Sequence, residues 1–137
     1  KRSLSEFFYN NLSAGKAVSG FTDVFFCPLL ANDLAVLLLQ MLQKSLTGVY
    51  HVASRECISK YEFGVRLAQR FGLDDQLIHP TLVSQSGLKA ARSPRLTLNT
   101  SKLTEALGFP PPDIAAGLDR LYRLFEQGTP QRLQQLG

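Results

Sequence analysis

The sequence predicts an α+β fold, rich in helix, with small β elements. Three observations predict it. Five segments carry helix start and stop signals around apolar residues spaced three and four apart. Only three short stretches, 16–22, 48–53 and 77–82, have the composition of strands. The regular strand–helix alternation of a full doubly wound sheet does not occur.

The first helix starts at a capping box, Ser3 with Glu6, ahead of Phe7, Phe8 and Leu12, and Gly15 closes it. The second starts at Asn32 or Asp33 and runs to about Ser45. Its apolar positions lie nearly all round, which predicts deep burial. Ser59 and Glu62 form another capping box. Phe63, Leu67 and Phe71 then follow at i, i+4 and i+8, Arg66 and Arg70 suit the later turns, and Gly72 is the stop. Asn99 or Thr100 opens a short helix that ends at Gly108. Pro110-Pro111-Pro112 is a stiff spacer. Asp113 caps the last long helix, whose stripe is Ile114, Leu118, Leu121 and Phe125, and Gly128 with Pro130 ends it. Residues 1–128 are expected to make one lobe and 129–137 a frayed tail.

The chain has 137 residues, with 15 Lys plus Arg against 11 Asp plus Glu. Between Asp75 and Glu105 stand Lys89, Arg92, Arg95 and Lys102 and no acid, so the net charge of +4 sits in that one stretch. A basic loop beside a packed core suits a phosphate-bearing ligand. Lys102 lies early in a helix, where a cation is disfavoured by the dipole, which points to a partner such as a carboxylate. Nucleic-acid binding is disfavoured, because the positive residues form a single loop and no recognised binding module is present.

No run of about 18 apolar residues occurs, so no membrane span is expected. The longest apolar patch, Leu34 to Leu42, is broken by Gln40. Cys27 and Cys57 have no Cys-x-x-Cys spacing and read as two separate buried thiols in a reducing, cytoplasmic compartment. His51 and His79 are too few and too separated to argue a metal site. The sequence contains no Gly-x-Gly-x-x-Gly, no Walker loop, no Gly-x-Ser-x-Gly elbow and no Tyr followed by Lys four residues on. No catalytic residue is assigned.

Three motifs occur in order: Phe21-Thr22-Asp23 through Cys27-Pro28 to Asp33-Leu34-Ala35; Gly48-Val49-Tyr50-His51-Val52-Ala53 with Ile58-Ser59-Lys60-Tyr61-Glu62-Phe63; and Ala91-Arg92-Ser93-Pro94 with Leu98-Asn99-Thr100-Ser101-Lys102-Leu103 and Leu107-Gly108. In this order they resemble the C-terminal, substrate-binding part of the dTDP-4-dehydrorhamnose reductase family, within the extended short-chain dehydrogenase/reductases. The likeness runs from about Leu4 to Phe125.

The resemblance implies a helix-rich lobe that binds a nucleoside-diphosphate sugar, with the Rossmann core absent from this chain. It implies an N-terminal Rossmann domain that holds NADPH or NADH and a Tyr-x-x-x-Lys pair, and hydride transfer to a 4-keto-6-deoxy sugar. This lobe alone would bind no cofactor. The resemblance nominates Arg92 as the phosphate contact, with Asp23, Phe26, Pro28 and Arg95 around the ligand. From the residues alone, Asp23 reads first as a turn cap, Asp33 as a helix-start residue, Phe26 as core, Arg95 as a solvated charge and His51 as a satisfied histidine in a strand. The run Val24-Phe25-Phe26-Cys27-Pro28-Leu29 departs from the family's Gln-Phe-Gly-Ser-Pro-Thr type, replacing two polar positions by apolar ones. The Arg-Pro pair appears as Arg92-Ser93-Pro94. The partners implied are the nucleotide sugar, the missing Rossmann half and a second copy in a homodimer. A second resemblance, of the Lys60-Tyr61-Glu62 and Ser101-Lys102-Leu103 regions, is to the regulatory subunit of methionine adenosyltransferase, which would make the chain part of a non-catalytic interaction protein. The first residue is Lys, not Met, which suggests a piece of a longer protein.

Overall fold

A computed structural model describes residues 3–85, 93 and 95–129. Lys89, Arg92, Pro94 and the tail beyond residue 129 lie outside the described residues. The elements are α1 (Leu4–Leu12), β1 (Val18–Phe21), β2 (Phe25–Phe26), α2 (Ala31–Gln43), β3 (Ile58–Ser59), α3 (Lys60–Phe71), β4 (Ile78–Thr81), β5 (Arg95–Leu96), α4 (Ser101–Leu107) and α5 (Ile114–Glu126). The helix-rich α+β class is therefore as predicted. The chain divides into two compact units, each made of two segments: Lys1–Cys27 with Cys57–Thr97, and Pro28–Glu56 with Leu98–Gly137.

The first unit holds α1, α3 and all five described strands. The Ser3/Glu6 capping box forms on α1, with the Ser3 hydroxyl accepting from Glu6 N–H and Glu6 accepting from Ser3 N–H. Ser59 caps α3 by accepting from Glu62 N–H at 3.1 Å. The Glu62 carboxylate ion-pairs with Arg66 one turn on, at 2.6 Å. Gly72 ends α3 in the left-handed conformation.

β1 and β4 pair in parallel, with Val18 opposite Ile78 and Phe21 opposite Thr81. The core takes Phe8 and Leu12 from α1, Val18 and Ile78 from this pair, Val24 and Ile58, and Phe63, Leu67 and Ala68 from α3. Two glycines set the closeness of packing. A Cβ at Gly64 would lie 2.6 Å from the Phe8 ring, and one at Gly20 would lie 2.7 Å from the Tyr61 Cα. Neither site can hold a side chain without displacing its neighbour. The second sheet has the order β3-β2-β5, with β2 antiparallel to β3 and parallel to β5.

The second unit consists of α2, α4 and α5 with irregular connections. Leu37, Leu103 and Leu107 form its buried cluster, with Leu29, Met41, Leu46, Tyr50 and Val52 packed against it. Long-range polar ties supplement that small core. Lys44 Nζ donates to the carbonyls of Ala106 and Leu107, where the C-terminal end of α4 favours a cation. The Ser54 hydroxyl donates to Pro112 O at 3.0 Å, and Arg55 pairs with Asp113. Asp113 also caps α5, as the sequence predicts, by accepting from Ala116 N–H at 2.9 Å.

Three expectations need correction in this unit. α2 is not deeply buried: Leu38, Leu39 and Leu42 are 50%, 59% and 74% exposed. Its apolar arc is wider than the described residues can cover, and of its apolar residues only Leu37 is fully buried. Asp33 does not cap α2. It lies within the first turn, and its buried carboxylate pairs with the Arg120 guanidinium of α5. Residues 48–53 form no strand. The Val49 carbonyl accepts instead from Lys102 Nζ at 2.9 Å, and that ammonium stands 4.3 Å from the Tyr50 ring centroid. Lys102 thus finds a carbonyl and an aromatic face where a carboxylate was expected.

Candidate functional site

β2 is the centre of the candidate site, because four of the five nominated residues lie on it or beside it in sequence or in the sheet. Val24 enters β2 fully buried, and its carbonyl accepts from Lys60 N–H at 3.0 Å, which fixes the strand to the start of α3. Phe25 and Phe26 then alternate across the sheet. Phe26 is half-buried and meets Phe63 edge to face, with centroids 5.5 Å apart. Phe25 is exposed and stands opposite Arg95 of β5. Partners in register on neighbouring strands share a face, so an aromatic ring and a guanidinium are presented side by side.

Arg95 is exposed, and its carbonyl accepts from the Ser93 hydroxyl at 3.1 Å. Leu96, opposite Phe26, is half exposed. Asp23 uses both carboxylate oxygens on one backbone group, the N–H of Val83, at 3.0 and 3.2 Å. It anchors the connection after β4 rather than standing free as a ligand group. Pro28 is half-buried and follows Cys27 as the first residue of the other unit. Arg92 lies outside the described residues; of the rest, Phe26 and Arg95 lie on adjacent strands of one small sheet but on opposite faces, and Asp23 stands just before its central strand.

The cysteines overturn a further expectation. Cys27 and Cys57 are joined by a disulfide, with Cα atoms 4.1 Å apart. The β2–β3 register pairs Phe25 with Ser59 and Phe26 with Ile58, so the next rung brings Cys27 opposite Cys57. A separation of 30 residues in sequence gives no sign of that adjacency. The ground on which a reducing compartment was inferred therefore falls.

Sequence reasoning also missed β5. Arg95-Leu96-Thr97-Leu98 alternates in polarity, a strand signal inside the stretch whose charges predict a basic loop. His51 is exposed and its Nδ1 lies 3.3 Å from Asn99 O, a satisfied surface histidine. Among the described residues no group of three or more His, Cys, Asp or Glu could hold a metal, and no helix is long and apolar enough to cross a membrane.

Among the described residues, the one direct strand-to-helix junction does not fit a nicotinamide dinucleotide. Where β3 passes directly into α3, the junction is capped by the Ser59 side chain and carries none of the glycines that let a pyrophosphate approach the backbone.

Over residues 1–126 the sequence matches the RmlD substrate binding domain. It is 30% identical over 116 residues to the probable low-salt glycan biosynthesis reductase Agl14 of Haloferax volcanii, covering 85% of this chain and 39% of that protein. In structure it is similar to a dTDP-4-dehydrorhamnose reductase from Bacillus anthracis, solved with NADP, at a TM-score of 0.80 and 21% identity, covering 89% of this chain and 43% of that one. A dTDP-4-dehydrorhamnose reductase from Clostridium acetobutylicum gives a TM-score of 0.82 at 17% identity, covering 92% and 45%. The chain thus spans less than half the length of the proteins it matches.

Proposed function

Since the chain belongs to the RmlD substrate binding domain family, we propose that it is the sugar-nucleotide-binding part of an NAD(P)-dependent reductase acting on a nucleoside-diphosphate 4-keto-6-deoxy sugar. The observation that carries this reading is the family match over residues 1–126, joined to the likeness of 85% of the chain to a glycan biosynthesis reductase. The cofactor, NADPH or NADH, would supply the hydride from an N-terminal Rossmann half, because this chain has neither the glycine fingerprint nor the Tyr-x-x-x-Lys pair. The contribution of this chain is to bind and orient the substrate.

Within that role, Arg92 grips the diphosphate by paired hydrogen bonds, and Arg95 adds positive field from the edge of the sheet. Phe25, on the same face as Arg95, offers an apolar surface to the base or sugar, and the apolar residues at two polar family positions in the run 24–29 shift the ligand preferred. Asp23 and Pro28 hold the loops on either side of β2. The exposed apolar arc of α2 is covered by the Rossmann half, and a second copy of the whole protein completes a homodimer. The site of action is the cytoplasm, where nucleotide sugars and reduced nicotinamide are available.

Titration of dTDP and UDP into the intact protein tests the reading. Micromolar binding that weakens by roughly tenfold or more in Arg92→Ala is the expected result, a loss of ~1.5–3 kcal/mol for a charged hydrogen bond. Unchanged affinity in that variant removes Arg92 from the site. Turnover of a 4-keto sugar nucleotide by the intact protein separates this reading from a non-catalytic regulatory subunit.

A further inference from the structure

We propose that the Cys27–Cys57 disulfide is a reversible redox latch on the strand at the centre of the candidate site, closed when oxidised and opened by a dithiol reductant. The ligand arm of its test rests on the sugar-nucleotide reading above; the chemistry of the latch does not.

The two ends of β2 are held differently. At its start Val24 is buried, its carbonyl is bound by Lys60 N–H, and Asp23 holds Val83 N–H. In its middle Phe26 packs on Phe63. At its end the sheet pairing stops after Phe26, the disulfide forms the next rung, and Pro28 follows with no N–H to donate. The covalent bond therefore replaces the ladder at this end of β2. Both cysteines are half-buried rather than sealed in the core, so a reductant can reach them.

Cleavage frees one end of β2 while the buried start keeps the unit folded. The effect reaches Arg95, because β5 is the outer strand of the sheet and pairs there with β2. A strand of two residues has little pairing of its own with which to hold that position. In a reducing compartment a disulfide is characteristically transient and redox-sensing.

The step balances as a dithiol–disulfide exchange. One thiolate of the dithiol attacks one cysteine sulfur, the S–S bond breaks, and the other cysteine leaves as a thiolate and takes up a proton. The second thiol of the reductant then attacks the mixed disulfide. Two electrons and two protons pass to the protein, giving two cysteine thiols, and the dithiol becomes a cyclic disulfide.

The test compares the intact protein before and after treatment with dithiothreitol, with dTDP as the probe in calorimetry and amide hydrogen exchange as a second readout. Reduction is expected to weaken dTDP binding by roughly tenfold, comparable to reordering one residue of backbone on binding. Exchange should quicken at residues 25–27 and 57–59 and remain unchanged in α1 and α3. The Cys27→Ser/Cys57→Ser double variant should behave as the reduced form and ignore dithiothreitol. Equal dTDP affinity in the two states overturns the latch, as do two free thiols in protein never exposed to reductant. Loss of exchange protection throughout the unit overturns it too, by making the bond a staple of the whole fold. If dTDP binds neither form, the sugar-nucleotide reading fails, and exchange confined to the two segments upholds or refutes the latch on its own.

Discussion

The two units bury their apolar surface to different degrees. The unit of Lys1–Cys27 and Cys57–Thr97 packs Phe8, Phe63 and Leu67 so tightly that two glycines are required where backbone and ring meet. The unit of Pro28–Glu56 and Leu98–Gly137 buries smaller side chains, Leu37, Leu103, Leu107, Ile114 and Leu118 with no buried aromatic among the described residues, adds ion pairs and lysine-to-carbonyl bonds, and leaves most of the apolar arc of α2 in solvent. The candidate site has been built on the first. The difference teaches that a tightly packed scaffold carries the candidate contacts, while the other unit keeps a surface whose cost is recovered only when something covers it.

The sharpest way to break this comparison is to empty the tighter core. Phe8→Ala should destabilise by about 3–5 kcal/mol, read as a lower urea midpoint, because the ring fills the space above Gly64. A small loss there would mean that the first unit is packed no better than the second. Asp33→Ala should cost about 1–3 kcal/mol in the same assay, since it strands the Arg120 guanidinium, which water partly relieves because Arg120 is 45% exposed. A smaller effect, about 1 kcal/mol, is expected of Ser59→Ala, which removes the hydroxyl that accepts from Glu62 N–H.

The smallest effect sharpens the contrast most. Leu42→Glu, on the open face of α2, should change the stability of this chain by no more than ~0.5 kcal/mol. The same change should weaken its association with the Rossmann half proposed above, measured by mixing separately expressed halves. A substantial loss of stability in the isolated chain would show that α2 is already covered.

Features set by neighbouring residues could be read from the sequence. Ser3 with Glu6, Ser59 before α3 and Asp113 before α5 are local hydrogen-bond patterns, and each stands where the spacing puts it. The strands at 18–21 and 78–81 also fall inside the stretches with strand composition. What failed depends on distant partners. Asp33 has the chemistry of a cap, but Arg120, 87 residues away, takes its carboxylate. Residues 48–53 have the composition of a strand without a described neighbour to pair with, so the pattern alone cannot make a ladder. β5 is two residues long and exists because β2 lies beside it.

The candidate site divides along the same line. Motif order nominated Arg92, Asp23, Phe26, Pro28 and Arg95; Phe26 and Arg95 fall on adjacent strands of one sheet and Asp23 just before it, while Arg92 lies outside the described residues. The cysteine rung could be seen only once the β2–β3 register was known.

Because each unit is assembled from two separate segments, the order of synthesis matters. Leu37 leaves the ribosome well ahead of Leu103 and Leu107, the residues that bury it. At about 5–20 residues per second, α2 waits several seconds for α4. During that interval the nascent chain carries a greasy helix with no mate, a natural landing place for a chaperone.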